Sequence, residues 1–95
     1  MKISEYIDYL DKGWDGVDDR TILVPLVTAL SPVSRQTIMS AQHKWLAESN
    51  GDYNVFVNAQ AKEIKTCIEL ELHEIGIAVR QHFNLTPLTL DTEIE

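Results

Sequence analysis

Val57, Ala61, Ile64, Ile68, Leu72, Ile75, Val79 and Phe83 recur at steps of three and four residues. At about 100° per residue these positions fall within one arc of a helix, so the spacing predicts a long amphipathic helix over about 54–83. The short alternation Ile68-Glu69-Leu70-Glu71-Leu72 has the period of a strand, but the longer register overrides it. Gly76 lies inside the pattern at some cost in helix stability, and Asn84 and Pro87 close it. Leu70 and Ile77, with Ala59, fall opposite the main stripe, beside a polar ribbon of Lys62, Glu69, His73 and Arg80. A helix with apolar residues on two sides is covered twice within a bundle or shared with a partner, so Leu70 and Ile77 are candidates for self-association.

That helix needs others to cover its stripe. Ile3, Tyr6, Ile7 and Leu10 predict a first helix over about Ser4 to Lys12, with Ser4 as its cap and Gly13 as its stop. Asp18 or Asp19 caps a second segment reaching Leu30. Pro25 leaves two readings of it: one helix broken by an interior proline, or an extended Thr21–Val24 followed by a helix beginning at Pro25. A third helix, capped by Ser31 or Ser34, runs to about Ser49 with Val33, Ile38, Ala41, Trp45 and Leu46 as its apolar members. Asn50-Gly51-Asp52 then reads as a turn. The expected fold is all-α: a small bundle of three to four helices with a long C-terminal helix, forming one domain over 1–87. Residues 88–95 read as a frayed acidic tail.

Ninety-five residues suit one domain with one core. The single cysteine, Cys67, cannot form an internal disulfide. No apolar leader or membrane-length run is present, so a cytoplasmic, non-membrane protein is expected. The net charge of −7 is unevenly spread. Residues 1–19 carry −4, whereas residues 20–47 hold Arg20, Arg35 and Lys44 without a single acid. Such a surface repels nucleic acid and membranes and attracts basic partners.

Catalytic and metal-binding patterns are missing. Cys67 lies at the edge of the apolar stripe and reads as a small hydrophobe. Asp11 to Asp19 resembles a calcium loop only in its acids: Gly13 and Ile22 stand where oxygen ligands are required. His73-Glu74 lacks the second histidine of a zinc-protease helix, and Glu69 with His73 gives two ligands only. His82 borders the stripe and reads as a residue at the edge of the core. No enzyme, metal or other cofactor is expected.

Residues 26–38 end in Val33-Ser34-Arg35-Gln36-Thr37-Ile38, which resembles the start of the recognition helix in bacterial helix-turn-helix regulators. The resemblance covers about thirteen residues. It implies that Ser34 caps the helix and that Arg35, Gln36 and Thr37, with Lys44 and His43 further along, face bases and phosphates.

The leading expectation comes from physical profile rather than from any family: a non-catalytic acidic domain that binds a protein with a basic surface. Asp8, Asp11, Asp15, Asp18 and Asp19, with Trp14 and Tyr53, are its candidate contact residues. An inhibitor of a nucleic-acid-handling protein, of the immunity, antitoxin or phage anti-defence (anti-CRISPR) kind and able to mimic DNA, has this profile. A helix-turn-helix regulator is the alternative, and a homo-oligomeric assembly protein is the second alternative.

Overall fold

A computed structural model describes residues 1–11 and 19–94, and only the backbone of residues 19–22 and 53. Trp14, Asp15 and Asp18 lie outside the described residues, as do the side chains of Asp19 and Tyr53. The described chain forms an all-helical bundle: α1 (Ile3–Asp11), α2 (Asp19–Ala29), α3 (Pro32–Ser49), α4 (Tyr53–Leu72) and α5 (Glu74–His82). No described helix is long and apolar enough to cross a membrane.

The stripe on α4 makes it the hub on which α1, α3 and α5 pack. Val57, Ala61, Ile64 and Ile68 are all buried, as their spacing predicts. Around them lie Ile3, Tyr6 and Leu10 of α1, Leu23 and Leu26 of α2, Leu30, and Ile38 and Trp45 of α3. Ile3, Leu26, Leu30, Ile64 and Ile68 are fully enclosed, and each contributes about 1.5–3 kcal/mol by leaving water. Trp45 meets Phe56 edge-on at 6.1 Å between ring centres, locking α3 to α4.

Pro25 sits inside α2, so the second segment is one helix rather than an extended piece and a helix. The Thr28 hydroxyl donates to Val24 O at 2.7 Å in the following turn. Ser31 caps α3: its Oγ accepts from the Ser34 N–H, and Pro32 occupies the first turn, where a missing N–H costs nothing. Val33 and Leu46, expected on the inner face of α3, are exposed; that face consists of Ser34, Ile38, Trp45 and Ser49. Asn50 and Gly51 both take positive φ, and Asp52 then caps α4 by accepting from the Asn54 N–H.

The long C-terminal helix departs most from expectation. It ends at Leu72, His73 takes an extended conformation, and α5 starts at Glu74. Five helices therefore form where three or four were expected. Past the break the apolar register no longer describes what is buried: Leu72 and Val79 are half-buried, while Ile75 and Phe83 are exposed. The inner face of α5 is instead Gly76 and Arg80. Gly76 makes the corner possible, because a Cβ there would overlap the backbone of Leu70 and Glu71 at the end of α4. Asn84, at φ 59°, then ends α5, with the Leu85 N–H returning to Arg80 O at 2.8 Å.

Residues 88–94 pack onto the bundle and against the start of α1. Leu88 and Ile94 are buried in the core, and Lys2 pairs with Glu93 in an antiparallel bridge. The amides of Ile3 and Ser4 donate to Thr92 O and Leu90 O, both at 3.0 Å. These are first-turn donors of α1, which a helix leaves orphaned. The Glu5 side chain accepts from the Lys2 N–H at 2.8 Å, so Lys2 rather than Ser4 occupies the cap position before α1. The acids of this stretch hide its apolar residues, which is why charge alone made it look like a tail.

Candidate functional site

The corner between α4 and α5 is organised by buried charge. Glu71 and Arg80 are 2% and 4% exposed and meet at 2.7 Å. The Glu71 carboxylate also accepts from the Ser31 N–H, at 3.0 and 3.2 Å to its two oxygens. Arg80 donates through Nη1 to Ala29 O and through Nε to Thr86 O. The pair thus ties the end of α2, the start of α3, the α4–α5 corner and the segment after α5 into one unit. Buried charges of this kind are tolerable only when paired and hydrogen-bonded, as these are.

Over this unit lies an apolar groove of about 160 Å³ between α3, α4 and α5. Val33, Thr37, Cys67, Leu70, Ile75 and Val79 provide most of its wall, with Glu63 at one side. Its rim is bare: Val33 is 52%, Leu70 55% and Ile75 79% exposed. At its base Cys67 is buried, and desolvation pushes the thiol above its ordinary range despite an opposing hydrogen bond with Ser34. Burial of this kind disfavours the thiolate, the nucleophilic form of cysteine.

The predicted site residues distribute as follows. Leu70 lies on the groove, but Ile77 is half-buried on α5. The break at His73 removes the single helix face on which the two were expected together. Asp8 is exposed. Asp11 is committed to an ion pair with Lys65 of α4, which also pairs with Glu69. Arg35, Gln36, Thr37 and Lys44 are exposed on α3, but Ser34 is buried and is not the cap: its N–H donates to the Ser31 Oγ. The Thr37 hydroxyl donates to Val33 O, Gln36 donates to Ser40, and Lys44 lies 3.9 Å from Glu48. Glu71 occupies the N-terminal end of α3, where a phosphate would be favoured. His82 is exposed and packs edge-on against Phe83, rather than at the edge of the core. Among the described residues no group of three or more His, Cys, Asp or Glu is placed to hold a metal.

Sequence reasoning missed Ile75, Val33 and Glu63 as surface features. The first two were assigned to the core by periodicity. The sequence carried one local hint, Gly76, a poor helix former inside the expected helix. No family model matches the chain, nor does any curated protein or any solved structure.

Proposed function

We propose that the chain is a non-catalytic protein-binding domain that acts on a partner with a basic surface, as an inhibitor of a nucleic-acid-handling protein would. The observation that carries this reading is the bare apolar rim of Val33, Leu70 and Ile75 around a groove. Large apolar side chains clustered at the surface mark docking sites. The net charge of −7 supports the choice of a basic partner by steering its approach. The helix-turn-helix alternative draws on the exposed Arg35, Gln36 and Lys44. Against it stand the Glu71 carboxylate at the start of α3 and the acidity of the whole chain.

The test is affinity capture from source-cell lysate, with and without nuclease, using the native chain and its Leu70→Glu and Arg35→Ala variants. A stoichiometric basic protein retained after nuclease and lost with Leu70→Glu is the expected result. Recovery of duplex DNA, weakened by Arg35→Ala and steeply dependent on salt, would favour the regulator instead.

A further inference from the structure

We infer that the groove at the α3–α4–α5 corner receives one apolar side chain of a partner polypeptide, and that Glu63 pairs with a lysine or arginine beside that anchor. This inference rests on the protein-binding reading above and names the chemistry of the partner.

Size points to a single side chain. Small-molecule sites occupy about 300–1,000 Å³, whereas this groove offers about 160 Å³. A lone anchor seated among exposed apolar neighbours is the usual form of a binding hot spot. Val33, Leu70 and Ile75 supply those neighbours.

Charge points to a basic neighbour of the anchor. Among the described residues, two carboxylates and no cation line the groove. Glu71 is already satisfied by Arg80 and the Ser31 N–H. Glu63 is half-buried and forms no hydrogen bond or ion pair with any described residue. It lies one turn before Cys67 and close enough for its charge to disfavour the thiolate at the base of the groove. Glu74 adds a further acid next to Ile75. A second copy docked with its two-fold axis at this groove would bring these acids near their own counterparts, and like charges across an interface are unfavourable. A partner segment carrying a cation removes that repulsion.

The test uses a phage-displayed library of random short peptides, selected on the purified full chain. Winning peptides are then synthesised, and their binding to the native chain, Glu63→Gln, Ile75→Glu and Leu70→Glu is measured by fluorescence anisotropy. Ile75 and Leu70 are exposed, and circular dichroism checks that each variant is folded. The expected winners share one large apolar residue with a lysine or arginine within one helical turn. Ile75→Glu and Leu70→Glu then weaken binding about tenfold or more, and Glu63→Gln weakens it about fivefold while flattening its salt dependence. Winners without a basic residue, or equal binding to Glu63→Gln, overturn the pairing. Failure to select any peptide overturns the anchor site. Winners unaffected by Ile75→Glu and Leu70→Glu place binding elsewhere, which overturns this site and leaves the protein-binding reading standing. A dimer seen by analytical ultracentrifugation and abolished by Ile75→Glu makes a second copy the occupant and overturns the inference.

Discussion

Replacing Arg80 by methionine keeps an unbranched apolar stem and removes the charge and the donors. Three acceptors lose their partner at once: Glu71, Ala29 O and Thr86 O. Glu71 keeps only the Ser31 N–H while remaining buried. Breaking a buried pair on one side costs about 3–5 kcal/mol, because the remaining charge is left uncompensated. A domain of this size has about 5–14 kcal/mol in total, so Arg80→Met should lose about a fifth of the stability or more. Urea unfolding followed by far-ultraviolet circular dichroism measures this as a fall in midpoint at unchanged slope. Adding Glu71→Leu removes the stranded charge but orphans the Ser31 N–H. The double variant should therefore recover part of the loss and not all of it, giving a coupling of at least about 1 kcal/mol in the double-mutant cycle. A loss below about 1 kcal/mol for Arg80→Met, or additive single effects, would refute the view that this pair holds the corner.

Gly76→Ala should destabilise by about 1–3 kcal/mol, the range for overpacking, although alanine is the better helix former by about 1 kcal/mol; a rise in the urea midpoint would show that the α4–α5 approach is looser than described. Because burial raises the Cys67 thiol, the folded state keeps its proton where the unfolded chain has lost it. The contribution is complete below about pH 9 and is lost as pH rises further. Tyr6, raised by burial and by Glu93, acts in the same direction at higher pH. The urea midpoint should thus fall above pH 9, and Cys67→Ala should flatten the first part of that fall; an unchanged profile in the variant counts against it. A chain ending at Pro87 should lose hydrogen-exchange protection at the Ile3 and Ser4 amides, whose acceptors are Thr92 O and Leu90 O. Unaltered exchange there would mean that residues 88–94 do not cap α1.

The helical class was legible because Val57, Ala61, Ile64 and Ile68 hold one face through about three turns, and because Asn50-Gly51 and the Ser31-Pro32 cap punctuate the chain. The break at His73 was not legible from apolar spacing. Its inner face is a glycine chosen for the absence of a side chain and an arginine whose partner lies nine residues back. Hydrophobic periodicity registers neither. The same blindness misplaced Ile75, which continues the stripe in sequence yet faces water once the helix has turned. The role of residues 88–94 was hidden for another reason: their backbone bonds to the first residues of the chain, and no local pattern encodes so distant a partner. Of the candidate site, Leu70 was found from its position opposite the stripe, whereas Glu63 gave no signal until the groove brought it beside Leu70 and Ile75.

The clasp between the two ends of the described chain also orders events in time. The bond from the Met1 amino group to Ile94 O spans 93 positions, and at about 5–20 residues per second its acceptor is synthesised some 5–18 s after its donor. During that interval α1 is a nine-residue helix without acceptors for its first amides, and helices shorter than about 12 residues are marginal in water. The hub helix α4 and its contacts with α3 involve neighbouring stretches of chain and can form first. Once α1 has docked on α4, the loop still to be closed is far shorter than the full chain, and its entropic cost falls accordingly. Of the described helices, α1 is therefore the earliest made and the last secured.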